Sequence, residues 1–137
     1  MSKLTFSLEN EYDFELIGIS CHSKDYRICW SLNDALKTNF KRIEDYEIQK
    51  KNEIINFPFF EYIDEDNNIE YFVIANKSSE GYLVSEIQSI DYFLVLKGSV
   101  SEKLVENLVK KVKEIDVVII AHRIDVKQLK SKQNLLF

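Results

Sequence analysis

Four side chains are soft enough to bind a transition metal or act as nucleophiles: Cys21, His22, Cys29 and His122. A compact zinc site draws on ligands paired about two to four residues apart, and this spacing is absent here. Cys21 and His22 are adjacent, so in an extended segment they point to opposite sides. Cys29 falls on an apolar helical stripe, where a small buried hydrophobe is the ordinary occupant. No third group is placed to orient a Cys/His nucleophilic pair. The reading is therefore no metal and no cofactor.

The acidic run Asp64, Asp66 and Asn68 echoes the first ligands of a calcium loop. It fails where Ile69 replaces the sharp-turn glycine and Ala75 the bidentate glutamate, so a solvated hairpin turn is expected. Gly18, Gly81 and Gly98 are isolated. No glycine-rich turn precedes a helix to cradle a phosphate. Glu86 and Asp91 flank a short connection into a strand. A catalytic pair would need burial and shifted proton affinities, whereas a turn-capping Asp91 and a solvated Glu86 need neither.

Tyr26 and Trp30 are separated by one helical turn, opposite the apolar stripe of the same segment, and Asn33 and Lys37 extend that second face. A Trp and a Tyr beside polar groups on the outside of a helix have the composition of a binding hot spot. The alternative is that another segment, such as the C-terminal tail, covers them.

These residues must be positioned by a chain of 137 residues with 45% hydrophobic and 30% charged content. That is enough for one domain, 1–137, with its own core. Two cysteines make no disulfide framework. The longest stretch without a charged residue, Leu16–Ser23, falls far short of the roughly 20 apolar residues of a spanning helix. Glu9 and Glu11 interrupt any secretory h-region. Cytoplasmic residence without a membrane is the expectation. The net charge of −5 disfavours a general nucleic-acid surface. It divides unevenly, however, into −8 over the first 100 residues and +3 over residues 101–137.

Residues 4–8 suggest a short strand, and Phe14–Cys21 fits strand or helix. Ser23 is a plausible N-cap for a helix through about Lys37, with Ile28, Cys29, Leu32, Ala35 and Leu36 on one stripe. Asp45–Lys50, Ile54–Ile63, Ile69–Lys77, Tyr82–Val84, Ile90–Lys97 and Val117–Ile124 have extended character. Pro58 should sit at an edge, at a bulge or where a strand begins. Ser101–Ile115 is the clearest helix, capped by Ser101, with Glu102 and Glu106 early and Lys110, Lys111 and Lys113 late. A short helix is expected in Val126–Phe137. The sum is an α+β fold, a largely antiparallel sheet of about five strands with two main helices packed on one face.

Tyr71–Ala75, Tyr92–Leu96 and Val117–Ala121 are apolar on both alternating faces. Strands read this way when buried on both faces. Two helices cover one face. The other needs the N-terminal segment, the tail, or another chain.

The run Val84-Ser85-Glu86-Ile87-Gln88-Ser89-Ile90-Asp91-Tyr92 resembles the signature of the bacterial IPExxxVDY family, with its Glu, Asp and Tyr in register. Val84 replaces Ile, Ser85 replaces Pro and Ile90 replaces Val. The lost proline loosens the turn that the signature implies. Asp13–Ile19, Lys24-Asp25-Tyr26-Arg27 leading to Trp30, and Ser131–Phe137 are similar to members as well. The resemblance implies an intracellular protein of this length with no assigned activity, and it transfers no catalytic or binding residue.

Three functions follow as expectations. The first is a non-catalytic interaction or regulatory module that binds a protein partner or itself, on the face of Tyr26, Trp30, Asn33 and Lys37. The second is an RNA-associated factor using Lys110, Lys111, Lys113, Arg123, Lys127, Lys130 and Lys132, with Phe137 as a base-stacking side chain. The third is an enzyme using Glu86, Asp91 and Tyr92, or Cys21 and His22.

Overall fold

The computed structural model describes residues 12–137, without the side chains of Asp25 and Tyr26. The strand expected at residues 4–8 lies outside the described residues. Eight strands and two helices follow in the order β1 (Glu15–Cys21), α1 (Asp25–Leu36), β2 (Lys41–Lys50), β3 (Glu53–Asp64), β4 (Ile69–Ala75), β5 (Lys77–Ser78), β6 (Gly81–Tyr82), β7 (Tyr92–Gly98), α2 (Glu102–Lys113) and β8 (Val118–Ile124). Six of the strands form one sheet in the order β2-β3-β4-β7-β1-β8, every neighbouring pair antiparallel. The small strands β5 and β6 pair with each other. Among the described residues no helix is long and apolar enough to cross a membrane.

Alternation along the central strands divides their apolar residues between two cores. Ile17 and Ile19 of β1, Tyr71 and Val73 of β4, and Leu94 and Leu96 of β7 face α1 and α2, meeting Ile28, Leu32, Val105 and Val112. Leu16, Phe72, Ile74, Phe93 and Val95 point the other way. There they are covered by β2 and β3 through Ile48, Ile55 and Phe57, by the 76–91 connection through Leu83, Val84 and Ile90, and by the tail through Val126 and Leu135. The chain thus shelters both faces of the central strands β1, β4 and β7 itself, and a second chain is not needed for that purpose.

Local chemistry explains the boundaries. Ser101 accepts the Leu104 N–H at 3.1 Å and caps α2. Ser23 does not cap α1. Its hydroxyl donates to the Lys24 carbonyl, and Lys24 occupies the cap position without a side-chain bond. Pro58 stands in β3 opposite the register shift between Ile43 and Tyr46, just before pairing with β4 begins at Phe59. Its missing donor therefore costs no ladder bond. Asp64 folds back on Asn67 with bonds of 3.3 and 2.8 Å, closing the β3–β4 turn. At Gly98, with φ of 107°, a Cβ would lie 2.3 Å from the Asn68 carbonyl oxygen, so only glycine fits.

The short helix expected in the tail takes the form of two 3-10 helices, Val126–Gln128 and Lys132–Asn134. A further expectation needs correction. The last strand is not buried on both sides. It is an edge strand, with Val118 and Ala121 inside and Ile119 and Ile120 left 54% and 52% exposed.

Candidate functional site

The outer surface of α1 carries the candidate. Ile28 and Leu32 are fully buried beneath the helix, which turns Trp30 outward to 68% exposure. An open groove of about 970 Å³ runs beside it. Arg27, Ser31, Asp34 and Ala35 of α1 form one wall with Trp30, and Lys111 and the connection Glu114–Val117 form the other. The link from α2 into β8 is held by the Val118 N–H on the Ile115 carbonyl at 2.9 Å and by the His22 N–H on Val117 at 3.2 Å. Both walls are therefore anchored to the sheet. Trp30, Ile115 and Val117 give the groove an apolar character, and Arg27 and Lys111 alternate with Asp34, Glu114 and Asp116 around it.

The expected face is only partly this one. The side chain of Tyr26 lies outside the described residues. Asn33 is committed internally, its Oδ1 accepting the Phe40 N–H at 2.7 Å and the Thr38 hydroxyl at 3.0 Å, and its Nδ2 donating to the Phe40 carbonyl at 3.3 Å. That clamp joins the end of α1 to the start of β2. Lys37 is the left-handed C-cap, with φ of 56° and its N–H on Asn33. It is exposed but stands outside the groove lining. Arg27 and Asp34, three residues before and four after Trp30, are the neighbours that helical spacing would have supplied.

The signature residues tie segments together. Glu86 accepts the Ser131 hydroxyl at 2.6 Å and its N–H at 2.8 Å, holding the tail. Burial opposes ionisation of Glu86, but the two Ser131 bonds, together with backbone hydrogen bonds at Glu86 and Lys130, outweigh it and hold the carboxyl below its usual range. Asp91 accepts the Cys21 N–H at 2.9 Å and pairs with Lys77 at 2.8 Å. The Tyr92 hydroxyl donates to the Ser23 carbonyl at 3.1 Å. The fully buried Asn76 completes the arrangement. It donates to the carbonyls of Ile87 and Ile90 at 3.0 and 2.9 Å and accepts the Val84 N–H at 2.8 Å. Glu86 and Asp91 therefore serve different seams, one facing the tail and the other the end of β1.

Cys21 and Cys29 are buried and not joined in a disulfide, while His22 and His122 are exposed. Burial pushes the Cys21 thiol up. Among the described residues no group of three or more His, Cys, Asp or Glu side chains is arranged to hold a metal ion. The basic residues of the last third do not share a face. Lys110, Lys111 and Lys113 belong to α2 on one side of the sheet, and the tail carrying Lys127, Lys130 and Lys132 covers the other. Arg123 is paired with Glu15 at 2.6 Å and with Glu102. Phe137 lies within an aromatic cluster, 5.2 Å from Tyr46 and 5.4 Å from Phe14.

No protein-family model matches the chain, and no curated protein matches it either.

Proposed function

We propose that this chain is a non-catalytic protein-interaction or regulatory module of the IPExxxVDY type that works in the cytoplasm and takes a protein segment into the groove beside Trp30. The observation that carries the reading is the 68% exposure of Trp30 next to that groove. Exposed tryptophans flanked by an apolar floor and charges of both signs are the composition of an interface anchor. The segment that fits would insert one apolar side chain against Trp30, Ile115 and Val117. Its own charges of both signs would meet those around the groove.

A photo-crosslinking amino acid placed at position 34, on the groove wall, in the native cell tests this. A discrete adduct formed from position 34, absent when the same probe replaces the exposed Ile54 on β3, supports the reading. Indistinguishable products at the two positions, or none at position 34, overturn it.

A further inference from the structure

The sheet has two edges, and they are built differently. On β2, Lys41, Arg42, Glu44, Asp45, Glu47 and Lys50 are all exposed, and the register shift between Ile43 and Tyr46 distorts the strand. Charge and a bulge are the ordinary means by which an edge strand is kept from pairing. The β8 edge lacks the first of these. Between Asp116 and Arg123 no residue carries a formal charge, and Ile119 and Ile120 are more than half exposed. Its own irregularity is one extra residue, Ile119, between the partners of Ser20 and Cys21. Pairing with β1 is regular from Ile120 to Ile124. Among the described residues β8 pairs on one side only.

The flank of α2 above this edge shows what fits it. Glu102 reaches Arg123 of β8, which marks the side of the helix that looks toward the edge. Leu104, Asn107 and Lys111 look the opposite way, into a cleft with Leu36 and Tyr71. Helical spacing carries the Glu102 side on to Glu106, Val109 and Lys113, with Lys110 just above them. Along this flank the helix is acidic at its start and basic at its end.

We infer that β8 is the seam of a homodimer in which a second copy of this chain adds its own β8 antiparallel, extending the sheet across a two-fold axis. A dyad normal to the sheet at Ile120 places Ile120 against Ile120 of the second copy, with the extra residue Ile119 of each copy beside the regularly paired Ala121 of the other. The same dyad sets the two α2 flanks antiparallel, so Glu102 and Glu106 of one copy face Lys113 and Lys110 of the other. An unrelated strand would satisfy the backbone of β8, but the acidic-to-basic order on α2 is self-complementary only under this two-fold relation. The seam is separate from the Trp30 groove and does not depend on it.

The test is sedimentation equilibrium of the full chain, paired with hydrogen exchange at two concentrations. The expected species has twice the 16.2 kDa mass of the chain, with β8 amides protected in proportion to dimer. Glu106→Lys should weaken dimerisation roughly tenfold, because two symmetry-related pairs reverse sign together. The double variant Glu106→Lys/Lys110→Glu should restore it, an outcome that mere misfolding cannot produce. Ile120→Lys should abolish it, and Trp30→Ala should leave it unchanged. A monomer at 100-fold different loadings would overturn the inference, whether its β8 amides exchange freely or are protected independently of concentration. So would a dimer lost in Trp30→Ala or unaffected by the charge swap.

Discussion

Asp91 holds the Cys21 backbone N–H at 2.9 Å across a sequence separation of 70 residues. The bond fastens the last turn before β7 to the end of β1, and the second oxygen of the same carboxylate meets Lys77 at 2.8 Å. One aspartate therefore joins β1, β5 and β7.

Replacing Asp91 separates these two roles. Asp91→Ala leaves the N–H of a buried residue without an acceptor and should cost about 1–3 kcal/mol. Asp91→Asn keeps an acceptor for Cys21 and loses only the attraction to a half-exposed lysine, which is worth less than about 1 kcal/mol. Lys77, held above its usual value first by its hydrogen bond to Asp91, should return toward it in Asp91→Asn. Urea midpoints and a lysine titration by NMR check both parts. Equal destabilisation by the two variants would refute the division.

Glu86 makes the acid prediction. Its ionised form is favoured in the folded chain by the two Ser131 bonds. Its contribution to stability is therefore present above the unfolded value of about 4.3 and lost as pH falls through the lower folded value. Because Glu86 is exposed, solvent screening holds the contribution under about 1 kcal/mol. The stability gap between wild type and Glu86→Gln should be present at pH 7 and close in acid. A gap that widens below pH 4 would contradict the sign.

Phe137 joins the tail to the face opposite the helices. Its ring meets Phe14 edge-on at 5.4 Å and stacks on Phe72 at 5.9 Å, with Tyr46 at 5.2 Å. The Tyr46 hydroxyl accepts the Leu136 N–H at 2.9 Å, and Lys97 donates to the Phe137 carbonyl oxygen. Phe137→Ala should cost about 2–3 kcal/mol, less than a fully buried phenylalanine because the ring is only half-buried. Phe137→Leu should recover part of that. Near-UV circular dichroism should change in both. An unaltered denaturation midpoint in Phe137→Ala would show that the tail does not close this core.

The residues that sequence made legible are those whose role is local or periodic. Ser101 was readable as a cap because its partner is three residues away, and the two-faced strands were readable because a period of two needs no knowledge of topology. Ser23 misled because a residue with capping chemistry stood one position too early. The exposure of Ile119 and Ile120 was hidden because strand order, not composition, makes β8 an edge. Asn76 gave no signal at all. Its bonds reach the 84–90 segment through a loop, and no spacing rule connects them. The same limit applied to Asn33, which has the polarity of a binding residue and the contacts of a clamp. Trp30 was legible because the stripe of Ile28 and Leu32 fixes which way the helix turns, and the groove beside it was not, since its second wall comes from α2 and the connection after it.

Helix α1 offers the sharpest contrast between a residue kept for packing and one available to a partner. Ile28 and Trp30 are two positions apart, the first fully buried and the second 68% exposed. Ile28→Ala should cost about 2–5 kcal/mol through lost burial and the cavity left behind. Trp30→Ala should change stability by no more than about 0.5 kcal/mol, as at other exposed sites without buried contacts. Trp30 is the only tryptophan in the chain, so its fluorescence reports this position alone. Native emission should resemble that of a solvated indole, with acrylamide quenching close to that of the unfolded chain. Binding in the groove should shift the emission to the blue and reduce quenching. A native spectrum already blue-shifted, or a Trp30→Ala variant as unstable as Ile28→Ala, would mean that Trp30 belongs to the core and that α1 has no outward face to offer.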